Sequence, residues 1–230
     1  MFFKRPSEQE LLTVNALPAT PSIGRNGRVP KDKRSSTRVL VIDDTKLPAM
    51  EQLKRLGYDI TRVRDIDNID DLTPFDIILC DVMGVGKKLD PKAQGNVIIR
   101  EAMLRYPNKF VIAYTGSSQT SPEATEARTQ ADSFLPKGAE IGKWQEVLDR
   151  YIIENGDPMN RWQRTRITLV EQGIDTYDLL RLENAFVRSL QNRDKSGAAV
   201  KEVAAQYLKN PLLRDIAIRA VVGILIAYAA

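Results

Sequence analysis

A doubly wound α/β domain built on a five-stranded parallel sheet, followed by an all-α C-terminal module, is the fold class this sequence predicts. Three observations carry the prediction. Short apolar runs recur, three of the five without polar alternation, as in strands covered by helices on both faces of a parallel sheet. Amphipathic stretches with clear stop signals separate them. After Asp157-Pro158 no strand-like run returns.

The strands are expected at 38–42, 58–63, 76–80, 110–114 and 133–135. The intervening helices are expected at 47–56, ending at Gly57; 94–106, ending before Pro107; 122–130; and 140–153, ending near Gly156. Strands alternating with helices in this way make a layered α/β domain over residues 37–154. Residues 155–230 read as a helical module, with helices at 159–172, 175–191, 198–209 and 211–228 punctuated by Gly173, Ser196-Gly197 and Asn210-Pro211. Leu179, Leu182, Phe186 and Leu190 form one apolar stripe at helical spacing.

The chain has 230 residues, 34 basic and 30 acidic, with one Cys and no His. The missing histidine removes imidazole catalysis and imidazole metal ligation, and excludes the phosphohistidine role in a phosphotransfer pair. The lone Cys80 rules out an internal disulfide framework and a Cys-based zinc site, and fits a reducing compartment. Charge is unevenly spread: residues 1–36 carry 7 basic and 3 acidic groups (+4), 37–154 carry 16 and 19 (−3), and 155–230 carry 11 and 8 (+3). The first segment, with Pro6, Pro18, Pro21, Pro30, Gly24 and Gly27, reads as a flexible basic arm. Its start, with Glu8 and Glu10 close behind Phe3, lacks a secretory core. The apolar stretch 220–230 is short of the roughly 20 residues a membrane span needs, so a cytoplasmic protein is expected.

In an open parallel sheet, functional groups gather at the carboxyl ends of the strands. There the sequence places Asp43-Asp44 after the first strand, Asp81 after the third, Thr115 with Gly116-Ser117-Ser118 after the fourth, and Lys137 after the fifth. Three converging carboxylates repel one another unless a cation sits among them. A hard divalent ion such as Mg²⁺ takes oxygen ligands and keeps waters that a phosphoryl group can replace. An aspartate beside it can act as a nucleophile toward a phosphoryl donor. A lysine and a hydroxyl can then stabilise the phosphoryl oxygens.

The order Val39-Leu40-Val41-Ile42-Asp43-Asp44, Ile77-Ile78-Leu79-Cys80-Asp81, Ile112-Ala113-Tyr114-Thr115-Gly116 and Phe134-Leu135-Pro136-Lys137-Gly138 resembles the receiver domain of two-component response regulators, over roughly residues 37–154. The resemblance implies a flavodoxin-like sheet and Asp81 as phosphoacceptor. It implies that Asp43, Asp44, Asp81 and the backbone carbonyl of Met83 hold Mg²⁺. Thr115 then matches the switch hydroxyl, Lys137 the motif lysine, and Phe134 the aromatic that changes rotamer on activation. The partner implied is a histidine kinase or His-phosphotransfer protein, with slow autodephosphorylation as the only enzymatic activity. The chain departs from the family after Asp81, where Met83-Gly84-Val85-Gly86-Lys87-Lys88-Leu89-Asp90-Pro91-Lys92 makes a long basic loop. A mobile rim over Asp81 and an ordinary surface insertion are both open readings of it.

Other functions use the same features. A haloacid-dehalogenase-like phosphohydrolase would need an Asp-x-Asp motif after the first strand, but Thr45 stands where the second carboxylate should be. A degenerate receiver would keep the pocket as an interaction module without phosphorylation. Residues 200–208 and the break before Leu212 resemble the first half of a helix-turn-helix, which together with the +3 charge allows DNA binding. The apolar helix that follows is better suited to burial in a bundle, a homodimer or another protein partner.

Overall fold

The fold was analysed in a computed structural model that describes residues 12–17 and 29–228. The strands are β1 (Arg38–Ile42), β2 (Asp59–Val63), β3 (Ile77–Asp81), β4 (Phe110–Thr115) and β5 (Ser133–Pro136). All pair in parallel in the order β2-β1-β3-β4-β5, the doubly wound flavodoxin-like order, whose switch point lies between β1 and β3. Helices α2 (Met50–Arg55), α3 (Gly95–Arg105), α4 (Pro122–Gln130) and α5 (Ile141–Asn155) cover the two faces.

The unalternating apolar runs are explained by the two cores. Val39, Val41, Ile77, Leu79, Phe110 and Ile112 point to one face, where they meet Leu53, Trp144, Leu148 and Tyr151. Leu40, Ile42, Ile78, Cys80, Val111 and Ala113 point to the other, against Val97, Ile98, Ala102 and Ala127. Successive side chains along a strand go to opposite faces, and both faces are dry. Cys80 is fully buried and burial pushes its thiol well above the ordinary range, which makes it a core residue and a poor nucleophile.

The C-terminal region forms α6 (Pro158–Glu171), α7 (Thr176–Gln191), α8 (Ala198–Tyr207) and α9 (Pro211–Tyr228). Asp157 caps α6 and Asp175 caps α7, each carboxylate accepting from a backbone N–H two residues on. The stripe Leu179, Leu182, Phe186, Leu190 lies in a core with Trp162, Val200, Ala204, Ile216, Val221 and Ile224. Trp162 and Phe186 stack at 5.1 Å. The apolar length of α9 is therefore largely absorbed within the chain's own bundle up to Leu225, while Ile226 and Tyr228 stay exposed. Its cations are also engaged: Arg214 donates to Leu208 O, and Arg219 to Asp215 and Asp70. The apolar helix that the sequence marks as suited to burial thus packs largely as a core element of the module.

The segment 1–36 is not a free arm where it is described. Lys31–Ser36 form a helix, α1. Arg34 there makes a two-point ion pair with Asp149 on α5 (2.9 and 2.5 Å), and its guanidinium lies over Tyr58. Upstream, Leu12 N donates to Asn184 and Val14 N to Glu183, placing Val14 in the helical core. Burial of a few apolar side chains and satisfied backbone donors outweigh the chain entropy that the Pro/Gly content suggested. Residues 1–11 and 18–28 of the expected arm lie outside the described residues.

The module is docked on the edge of the sheet where the strands begin. Arg164 of α6 pairs with Asp132 at 2.7 Å and donates to the carbonyls of Pro107 and Lys109. Arg219 of α9 bonds Asp70 and the Tyr106 hydroxyl. No helix of the described residues is long and apolar enough to cross a membrane.

Candidate functional site

The carboxyl ends of β1, β3, β4 and β5 converge on one edge. Asp43, just past β1, is fully buried; Asp81, the last residue of β3, is 5% exposed; Asp44 faces solvent. Carboxylate oxygens of all three lie within 4.8 Å of one another. Lys137, just after β5, reaches between two of them, with Nζ 2.8 Å from Asp43 and 2.9 Å from Asp81 Oδ2.

The strand pleat sorts these groups. Asp81 follows the parity of Ile77 and Leu79, and Tyr114 that of Phe110 and Ile112, so both stand on the α2/α5 face; they are opposite one another in the β3/β4 register. The Tyr114 hydroxyl donates to Asp43 Oδ2 at 2.8 Å. Asp43 Oδ1 accepts from the backbone N–H and hydroxyl of Thr45, both at 2.9 Å, and from Lys137. Asp43 is thereby held in one orientation by four donors.

Burial raises the Asp81 carboxyl above its ordinary range, partly offset by the hydrogen bond from Lys137 and that from Met83 N. Burial alone would lower the Lys137 ammonium, but hydrogen bonds to Asp43 and Asp81 hold it above its usual value. Desolvation, then Asp43, push the Tyr114 phenol far up, so it remains a neutral donor. One ammonium among three carboxylates leaves the edge short of positive charge. Arg62 adds a donor, but to the backbone oxygens of Asp43 and Thr45 rather than to a carboxylate. An all-oxygen set with excess negative charge fits a hard divalent cation. Asp44 and Asp81 offer more free oxygen capacity than the four-fold bonded Asp43.

The structure brings Asp43, Asp44, Asp81 and Lys137 together as the sequence predicts. Met83 is beside them, its backbone N–H on Asp81 Oδ1 at 3.2 Å. Thr115 is buried at the end of β4, and its hydroxyl accepts from Ser117 N at 3.1 Å. Phe134 stands further off on β5, half-buried beneath the Arg128 guanidinium at 4.7 Å. Sequence reasoning missed Tyr114, Thr45 and Arg62 as supports of Asp43. A tyrosine inside an apolar strand, one residue before the strand-end hydroxyl, was the available signal for the first.

The long loop after Asp81 is tied down rather than loose. Gly84 N donates to Gln94 Oε1, Gly86 N to Asp65 Oδ1, and Lys88 pairs with Asp67. Val85 is buried, and Asp90 closes a turn by accepting from Lys92 N and Ala93 N. Glycine is required here at Gly84, Gly86 and Gly95. Gly84 has φ +87°, and a Cβ on it would lie 2.4 Å from Asp44 Oδ2; a Cβ on Gly95 would lie 2.1 Å from Asp81 O. Gly84→Ala is therefore expected to displace Asp44 and weaken divalent-ion affinity at least several-fold, with stability lowered by about 1 kcal/mol for the left-handed backbone. Calorimetric titration with Mg²⁺ checks it, and unchanged affinity would contradict this role for Asp44.

Comparison with solved structures gives many neighbours that are CheY-like response-regulator receiver domains, each matching about half of this chain. A CheY-like receiver domain protein from Methanospirillum hungatei is 19% identical, with 52% of this chain and 95% of that chain covered and a TM-score of 0.41. A receiver domain protein from Clostridium thermocellum is 21% identical (50% and 94% covered, TM-score 0.41). The receiver domain of an HD domain-containing protein from Pseudomonas fluorescens is 15% identical (59% and 93% covered, TM-score 0.43). No family model and no curated protein matches. The sheet order and flanking helices of residues 37–154 match the receiver fold.

Proposed function

We propose that the chain is a response regulator that accepts a phosphoryl group on Asp81 from a histidine kinase or His-phosphotransfer partner, with Mg²⁺ held by Asp43, Asp44, Asp81 and the backbone carbonyl of Met83. The observation that carries this reading is Lys137 Nζ bonded to both Asp43 and Asp81, beside Asp44, at the strand-end edge of a 2-1-3-4-5 sheet. When bound, the cation would neutralise charge shared by the carboxylates and the phosphoryl oxygens. A carboxylate oxygen of Asp81 attacks phosphorus as the bond to the donor's imidazole nitrogen breaks, and the leaving imidazole takes the electron pair. Lys137 then pairs with a phosphoryl oxygen. The Thr115 hydroxyl leaves Ser117 N to bond another, and Phe134 shifts from beneath Arg128 as the switch.

Phosphorylation would alter contacts between the receiver-like domain (37–154) and the helical module (155–230), which meet through Arg164 and Arg219. Ile167, Val170, Tyr177, Ile226 and Tyr228 are the large apolar side chains that the described residues of the module leave exposed, and they support a homodimer or protein partner over DNA. Intact-mass measurement after incubation with acetyl phosphate and Mg²⁺ tests the assignment. The wild type is expected to gain one phosphoryl group and Asp81→Asn none. An unlabelled wild type would favour the phosphorylation-independent interaction module, and turnover of phosphate monoesters the phosphohydrolase.

A further inference from the structure

The acidic edge uses one end of the parallel sheet. At the other end, where the strands begin, a cavity of ≈ 850 Å³ opens between the sheet, α1, α6 and α9. Its position follows from the topology. Arg38 opens β1, Asp76 directly precedes β3 and Lys109 directly precedes β4, so parallel pairing stacks them at one edge. The helical module closes over that edge and contributes Arg161, Lys201 and Arg219.

The lining is strongly cationic. Lys33, Arg38, Lys109, Arg161, Lys201 and Arg219 face Asp32 and Asp76. Two of the cations are buried, at 2% exposure for Arg161 and 5% for Lys109. Arg161 spends only its Nε, on the carbonyl of Asn108 at 3.1 Å; among the described residues its two terminal nitrogens have no hydrogen-bond partner. A buried guanidinium with unused donors is costly unless an acceptor arrives. Asp76 acts on it only at a distance: burial lowers Arg161 to about 10, and the attraction of Asp76 recovers part of that. Lys109 is brought down to about 7 by burial, although Nζ donates to the carbonyls of Thr73 and Phe75.

A second group nearby is also unsatisfied. Asn108 is fully buried with neither amide atom bonded, and it lies against Gly223 of α9, where a Cβ would stand 2.8 Å from its Nδ2. Gly223 lines the cavity. Apart from Arg219, the α9 wall is largely apolar, with Ile218, Val222 and Ile226. Clustered cations beside a stretch of hydrocarbon, within a volume typical of small-molecule sites, define the occupant.

We propose that this cavity binds a small organic anion, with a phosphate or carboxylate head on Arg161 and Lys109 and an apolar body along α9. The ligand would bridge the receiver-like sheet and the helical module, and the assignment stands independently of phosphorylation at Asp81.

The test is fluorescence titration of the full chain with 8-anilinonaphthalene-1-sulfonate, an aromatic anion of the required chemistry. Saturable binding of one molecule per chain is expected. Arg161→Met, which removes the unused donors, is expected to weaken it about tenfold or more. Lys201→Glu is an exposed change that leaves every core intact and is expected to weaken it several-fold. Competition by adenosine monophosphate would identify a phosphate head, and competition by decanoate a carboxylate with an aliphatic body. Wild-type affinity in Lys201→Glu together with a folded Arg161→Met, or displacement by neither competitor, would overturn the proposal. Should Arg161→Met fail to fold, Lys201→Glu and the competitors decide the matter.

Discussion

Lys137→Met is expected to slow labelling of Asp81 by acetyl phosphate about 10² to 10³-fold while leaving the sheet folded. The methionine keeps most of the side-chain volume and removes the charge that lies 2.8 Å from Asp43 and 2.9 Å from Asp81. A single preorganised donor aimed at developing negative charge is worth that much in comparable sites. The loss has a pH signature. In the proposed reaction Asp81 must be ionised to attack, and burial already holds its carboxyl above the usual range with Lys137 opposing. Without Lys137 the carboxyl rises further, so the acid limb of the rate profile moves to higher pH. An unchanged rate and an unmoved limb would show that Lys137 is only a structural tie.

The same shift has a consequence for stability. A carboxyl whose folded pKa lies above its unfolded value binds more protons in the folded state, so stability falls as pH rises from the unfolded to the folded value. Above that window the fold carries the full cost of a buried charge. Asp81→Asn is therefore expected to melt at a higher temperature than wild type at neutral pH, and at nearly the same temperature below the carboxylate range. That trade of stability for a poised group is common at functional sites.

Glu183→Ala is expected to destabilise the helical module by about 2 to 5 kcal/mol, since two buried donors lose their acceptor. Glu183 is 2% exposed on α7; Oε1 accepts from Val14 N and Oε2 from the Trp162 indole, each at 3.0 Å. It is thus the polar pin between α6, α7 and residues 12–17. Glu183→Gln keeps one acceptor oxygen and turns an amide NH2 toward the other donor, so it should recover only part of the loss. Thermal melts of the two variants, with limited proteolysis of the N-terminal segment, check this. Equal melting temperatures for Ala and Gln would show that packing of Trp162 on Phe186 alone holds the module.

The strand-end chemistry was legible because it depends on local pattern. Each apolar run announces a strand, and in a parallel sheet every carboxyl end falls at the same edge, so Asp43, Asp44, Asp81, Thr115 and Lys137 could be grouped before any contact was known. The helices were readable from their caps and punctuation; Pro122–Gln130 in the α/β domain and Pro211–Tyr228 in the module fall where periodicity places them. Composition was a weaker guide. The Pro/Gly content of residues 1–36 suggests a free arm, whereas among the described residues of that segment Arg34 finds Asp149 more than a hundred positions away.

What the sequence by itself determined, then, is the order of elements and the class of chemistry at one edge of the sheet. Without histidine, the chain, if it belongs to a phosphorelay, can take only the aspartate side. Tertiary structure alone decided the rest: Tyr114 and Thr45 clamping Asp43, the tied loop after Asp81, α9 buried in its own bundle, and a cationic cavity at the opposite edge. The physical reason is range. Periodicity, caps and turns act over a few residues, whereas a buried guanidinium such as Arg161 acquires its meaning from Asn108, Asp76 and α9, which only folding brings near it.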